Sequence, residues 1–159
     1  MKSLLKLLEK DCRISAAQIA VMLGEDEETI KEKIKELEDK HIILGYKAMI
    51  DWERTDEDVV TALIEVRVTP QRGLGFERVA ERIYQYDEVE SLYLVSGGYD
   101  LSVTISGKSM KEVALFVATK LATIEGVSGT ATHFILKRYK DHGVMFRIEE
   151  EKQEKAYLI

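Results

Sequence analysis

The sequence predicts an α+β protein made of an N-terminal winged or helix-turn-helix unit followed by a ferredoxin-like βαββαβ unit. Three observations predict it. Apolar residues recur at helical spacing in three short runs between Leu4 and Leu37. From Val59 onward the apolar period switches between two and about 3.6, in the order strand, helix, strand, strand, helix, strand. Between these regions DWERTDEDVV carries six charges from Asp51 to Asp58 and no periodicity. The expected boundaries are therefore 1–50 for the first unit, 51–58 for a linker, 59–140 for the second unit and 141–159 for a C-terminal extension.

Each element has its own warrant. KSLLKLLEK places Leu4, Leu5, Leu7 and Leu8 on a helical stripe. Ser15 is a suitable N-cap for SAAQIAVML, where Ile19 and Leu23 share a face, and Gly24 breaks that helix. Asp26 can cap a third helix running to about Lys40, with Ile30, Ile34 and Leu37 facing inward. Helix, helix, glycine turn and helix is the outline of a helix-turn-helix. IILGYKAMI follows as an apolar run expected to form a strand leading out of the unit.

In the second unit VVTALIEVRV sets Ala62, Ile64, Val66 and Val68 against Thr61, Leu63, Glu65 and Arg67, and Pro70 is expected to end the strand. Phe76, Val79, Ala80 and Ile83 follow at helical spacing. VESLYLV and DLSVTISG read as a hairpin around SGGYD. Met110, Val113, Ala114, Val117, Leu121 and Ile124 give a second helix, and GTATHFILKRY a last strand. Leu63 and Tyr93 on the polar face suggest that both sheet faces are covered. So small a unit has limited surface to bury, and a second copy on the helix-free face is the expected remedy. The tail divides into GVMFRI, read as a strand, and EEEKQEKAYLI, read as a helix or a disordered end.

Composition narrows the function. The chain has 159 residues, 45% hydrophobic and 33% charged, with a formal net charge of −6. That balance argues against a surface that grips nucleic acid all over, while leaving room for a local basic face. A single cysteine rules out an internal disulfide framework and suits a reducing, cytoplasmic setting. No apolar run approaches the roughly 20 residues of a membrane span, so no membrane partner is expected. His41, His133 and His142 lack metal-ligand spacing, Cys12 has no evident histidine partner and is assigned a packing role, and no phosphate-binding glycine motif occurs. The chain is expected to be no enzyme, with no catalytic residue, no metal and no cofactor. Trp52 is expected to anchor the charged segment to one of the units.

Two stretches carry candidate chemistry. The third helix opens with Glu25, Asp26, Glu27 and Glu28. Acids there complement the helix macrodipole, yet they also repel phosphate. Lys31, Lys33 and Lys35 on that helix, with Arg13 nearby, can neutralise phosphates. Glu27 or Glu28 can accept from a cytosine amine, and Thr29 can contact a base or a phosphate. In SGGYD, Gly97 and Gly98 allow a tight turn with outward N–H groups that suit a carboxylate, and Asp100 can pair with an ammonium. The alternative is a plain hairpin turn in which Asp100 bonds its own loop. Thr130 and Thr132 point the same way on the last strand and offer hydroxyls.

These stretches, in this order, resemble the Lrp/AsnC (leucine-responsive/asparagine-regulator) family of transcription factors over about residues 4–140. The resemblance rests on RISAAQIA (13–20), TIKEKIKELEDKHII (29–43), SGGYD (96–100) and IEGVSGTAT (124–132). It implies a DNA-binding domain joined to a ligand-binding and dimerisation domain, dimers that assemble further, often to octamers, and an amino acid bound between dimers. It also implies an effector cleft lined by Gly97, Gly98, Tyr99, Asp100, Thr130 and Thr132. The chain departs from the family pattern where Asp26 replaces the usual serine cap, Glu32 and Glu36 replace basic residues, and His41 replaces the glycine that ends the recognition helix. Gly98 and Glu125 also depart from it. The reading is a transcription regulator that binds double-stranded DNA as a dimer or higher oligomer, modulated by an amino acid or related small molecule. The alternative is an amino-acid-sensing or assembly module that has lost DNA binding.

Overall fold

The computed structural model describes residues 1–69 and 75–146. The chain divides into two compact units, Met1–Ile50 and Asp51–Ile159.

The first unit is three helices, α1 (Lys2–Lys10), α2 (Ala16–Leu23) and α3 (Glu27–Asp39). Leu4, Leu8, Ile19, Ala20, Ile30 and Leu37 form its core, with Leu5, Leu7, Leu23, Ile34 and Ile43 packed partly buried against them. Local signals fix the helix ends. The Ser15 hydroxyl accepts from the Gln18 N–H at 3.2 Å while the Gln18 side chain accepts from the Ser15 N–H at 3.0 Å, a reciprocal capping box. Gly24 then turns the chain at φ 67°, where a side chain would be strained. Asp26 caps α3 by accepting from the Thr29 N–H at 3.0 Å. That bond holds its carboxyl below the ordinary range, the Thr29 hydroxyl contributing most and the N–H next.

The expected strand after α3 is absent. Residues 44–50 form no strand, and Ile42, Leu44, Tyr46, Met49 and Ile50 are exposed. A strand exists through its ladder bonds, and the described residues of this unit supply no partner strand. Tyr46 instead donates its hydroxyl to Glu38 at 2.9 Å. Burial, then the Glu38 carboxylate, pushes the Tyr46 pKa up. Cys12 is also not a packing residue. It lies exposed in the turn between α1 and α2.

In the second unit a short 3-10 turn, Trp52–Arg54, precedes β1 (Val60–Val68), α4 (Glu77–Ile83), β2 (Val89–Leu94), β3 (Leu101–Gly107), α5 (Met110–Phe116) and β4 (Val127–Phe134). Trp52 remains 42% exposed. The four strands form one antiparallel sheet in the order β2-β3-β1-β4, the split arrangement of a βαββαβ unit. The period-two reading of β1 holds: Ala62, Ile64, Val66 and Val68 are buried on the face covered by both helices, with Val79, Ile83, Leu101, Val103, Ile105, Val113, Phe116 and Leu121. Pro70, expected to end this strand, lies outside the described residues.

The second helix reads differently in detail. Met110 and Ala114 are exposed and Phe116 takes a core place, because it follows Val113 by three residues and so shares its face; beyond it the chain passes into a π-helical turn at Val117–Leu121. Thr119 donates back to the Leu115 carbonyl at 2.7 Å within this turn. Beyond β4 a small hairpin pairs β5 (Lys140–Asp141) with β6 (Val144–Met145). His142 and Gly143 between them have φ of 43° and 82°, the geometry of a type I′ turn. Within GVMFRI only Val144–Met145 is strand among the described residues. Arg147 and Ile148 of that run, and the helix or disordered end expected for EEEKQEKAYLI, lie outside them.

Candidate DNA-facing helix and effector end

α3 turns Ile30 and Leu37 inward, and its opposite face, with Glu28, Lys31, Glu32 and Lys35, is exposed. Spacing of three and four residues puts these side chains in reach of one another. Lys31 bridges Glu27 and Glu28, each at 2.8 Å. The two carboxylates, Glu27 first, raise its pKa well above the usual lysine range. Lys33 pairs with Glu25, and Lys40 with Glu36, whose carboxyl is thereby held low. Arg13 stands 3.7 Å from Asp11. Thr29 is half-buried with its N–H and hydroxyl both turned to Asp26. Of the seven residues singled out for DNA, only Lys35 has no ion-pair or hydrogen-bond partner among the described residues. The acidic first turn thus does two things: Asp26 caps, while Glu25 pairs with Lys33, and Glu27 and Glu28 pair with Lys31.

The helix ends at a position that favours glycine. His41 has φ 54°, its N–H donates to the Glu38 carbonyl at 2.9 Å, and the Ile42 N–H donates to that of Leu37 at 2.9 Å. The left-handed residue satisfies carbonyls that the helix leaves open.

At the other candidate site, the hairpin 95–100 lies at the end of the sheet where β1 finishes and β4 begins. The Val95 N–H donates to the Asp100 carbonyl at 2.9 Å, and the Asp100 N–H donates across to the Val66 carbonyl at 3.1 Å. The Asp100 carboxylate accepts from the Val68 N–H at 2.8 Å. At the same end the Thr69 N–H donates to the Gly126 carbonyl at 2.8 Å, and the Ser128 hydroxyl donates to the Arg67 carbonyl at 3.2 Å. Gly126 sits at φ 97°, and a Cβ there would come within 3.1 Å of the Val79 side chain. The IEGVSG turn is therefore held against both β1 and α4.

The six predicted effector residues fall into two groups. Gly97 and Gly98 are exposed, and a Cβ on either would meet nothing within 4 Å. Tyr99 and Asp100 beside them are half-buried. Thr130 and Thr132 lie opposite Val66 and Ile64 on the far side of β1. With β1 between, Asp100 and Thr130 are two strand spacings apart, about 10 Å. Both threonines also share the helix-covered face with Val66 and Ile64, so the sheet does not gather the six residues into one cleft. Val68, Thr69 and Ser128, which fasten this end together through backbone groups, carry no sequence signal for that role.

A three-helix unit with an exposed, capped third helix, followed by a βαββαβ unit, is the arrangement of a helix-turn-helix transcription regulator with a ligand-binding domain. Residues 2–43 match the winged helix-turn-helix DNA-binding family and residues 61–145 match the Lrp/AsnC ligand binding domain. YugG, an HTH-type transcriptional regulator of Bacillus subtilis, is 49% identical over 149 residues, covering 93% of this chain and 90% of that protein. The chain belongs to the Lrp/AsnC family of transcription regulators, a class without enzyme activity. Its fold is also that of AsnC from E. coli, at a TM-score of 0.67 and 21% identity over 91% of this chain and 93% of that one. The regulator NMB0573 of Neisseria meningitidis, solved as a complex with L-Met, gives 0.71 and 22% over 87% and 88%.

Proposed function

We propose that the chain works as a dimer or larger assembly in the cytoplasm, presenting α3 to the major groove and taking an amino acid or related small molecule at the 96–100 hairpin. The observation that carries this reading is the state of α3, which is exposed along Glu28, Lys31, Glu32 and Lys35 yet has Lys31 and Lys33 neutralised by its own acids. Each helix then supplies few phosphate contacts. Linking several such helices multiplies a weak affinity into a useful one. Such a protein responds steeply to anything that changes its assembly.

The helix-free sheet face supports pairing. Leu63, Glu65, Tyr93, Thr104 and His133 lie on it by register. No described helix of this unit covers it, and Tyr93 is 60% exposed. For the effector, outward glycines at 97 and 98 offer N–H groups to a carboxylate, and Asp100 retains acceptor sites beyond the one that Val68 uses. That NMB0573 was solved with L-Met supports an amino acid as the class of ligand.

The same ion pairs favour a second reading, a sensing or assembly module that no longer binds DNA. Fluorescence anisotropy of a labelled fragment of the upstream DNA, with each amino acid added in turn, separates the two. Binding that one amino acid strengthens or weakens supports the regulator. Absence of binding at low salt, with an amino acid still raising the melting temperature, supports the module.

A further inference from the structure

A groove of about 390 Å³ runs between α4 and the edge strand β2, and at one end it reaches Leu94 and Leu101 at the foot of the glycine hairpin. Its size falls within the roughly 300–1,000 Å³ of small-molecule sites. One wall is the Phe76, Ala80 and Tyr84 face of α4, and the floor is Leu92, Leu94 and Leu101. Every one of these is apolar or aromatic, and none of the lining side chains is basic.

The polar groups sit at the ends. Glu77 opens α4, whereas Glu90 stands near the start of β2, beside the C-terminal end of the same helix. Glu90 occupies an irregularity in the β2–β3 ladder, between the pairs Val89–Ile105 and Ser91–Thr104. An extra residue in an edge strand re-aims a side chain, and here the re-aimed one is a carboxylate on the groove. Both glutamates are exposed, and neither has an ion-pair partner among the described residues. From Glu77 to Tyr84 the helix rises about 10 Å, so the two carboxylates flank an apolar channel instead of forming one cluster.

We propose that this groove binds a linear aliphatic diamine. Its methylenes lie on the aliphatic floor against the Phe76 and Tyr84 rings, and one ammonium meets Glu77 while the other meets Glu90. Amino-acid carboxylates are disfavoured, because among the described residues they would face two anions and no cation.

Calorimetric titration of the full chain with 1,5-diaminopentane tests this, with n-pentylamine as the one-charge control. The expected result is saturable binding of one diamine per chain, about tenfold weaker for pentylamine and for Glu77→Gln or Glu90→Gln, as loss of one charge-assisted hydrogen bond predicts. Glu81→Gln, on α4 outside the groove, and Asp100→Asn leave it unchanged. The groove site is therefore scored separately from the hairpin site. The proposal is overturned if no saturable binding occurs, if pentylamine binds as tightly, or if the two groove variants bind as well as the parent. It is equally overturned if those variants change the oligomeric state instead, since the groove would then belong to a second copy.

Discussion

The carboxylate of Asp100 accepts a hydrogen bond from the Val68 N–H at 2.8 Å, so the residue best suited to hold an effector ammonium also fastens the end of β1. Its fold role and its binding role are separable by chemistry. Asp100→Ala leaves a half-buried N–H without its partner and costs about 1–2 kcal/mol in chemical denaturation. Asp100→Asn keeps an acceptor oxygen and most of that stability while losing the charge. The Asn variant is expected to fold normally and to lose the thermal shift given by an amino acid. A full shift in that variant would place the ammonium elsewhere.

His41 stands at φ 54° where the family pattern has glycine. A side chain in the left-handed region is strained and glycine is not, so His41→Gly should raise stability by about 1 kcal/mol. Denaturant unfolding checks this. A loss would mean that the contact of His41 Nδ1 with the Asp39 carbonyl, at 3.0 Å, outweighs the strain.

The order of elements was legible because each carries a local signal. Alternation fixed the faces of β1 from Ala62 to Val68, and Ser15, Gly24 and Asp26 marked the helix ends. What escaped depends on partners distant in sequence. IILGYKAMI has the composition of a strand, but a ladder needs a second strand, and composition cannot say whether one is there. On α5 more apolar residues are offered than the core takes: Phe116, three after Val113, is buried while Met110 and Ala114 face out, and composition does not rank them. At the site, SGGYD and IEGVSGTAT were found by resemblance, whereas the bonds that join them run through the backbone of Arg67, Val68 and Thr69. The pairing of Lys31 with Glu27 and Glu28 was available from their spacing of four and three. The sequence pattern alone shows charge in a first turn, whereas the side-chain geometry shows it paired with a lysine.

Glu88 pairs with Lys120, whose ammonium also lies 5.1 Å from the ring centroids of Tyr86 and Phe116. Lys120 holds the Glu88 carboxyl below its ordinary value of 4.5. A carboxyl with a depressed folded pKa stabilises above its unfolded value, and that contribution is lost as pH falls through the lowered folded one. Glu88→Gln should therefore reduce stability at neutral pH, by at most about 1 kcal/mol for so exposed a pair. The gap from the parent should close as pH drops below 4.5. Denaturation midpoints at several pH values give the answer, and a gap that widens in acid would contradict the assignment.

The helix-free sheet face is predicted to be the dimer surface. Leu63 lies on it, opposite Thr104 and His133 on the neighbouring strands, and His133 stands 3.2 Å from Glu65 there. Leu63→Arg introduces a charge that a second sheet cannot cover. Sedimentation velocity should find folded monomers, with circular dichroism unchanged. A variant that stays dimeric would move the interface to another surface.

The central claim, that α3 meets DNA with its own lysines partly neutralised, is tested most directly by a salt titration of DNA affinity for the parent and for Glu27→Gln/Glu28→Gln. The account predicts that the logarithm of affinity falls linearly with the logarithm of salt concentration. The double variant should bind more tightly and with a steeper slope, by about 0.9 for each DNA-bound copy of Lys31 released to a phosphate. Unchanged affinity and slope in the variant, or no binding by either protein at low salt, would contradict it.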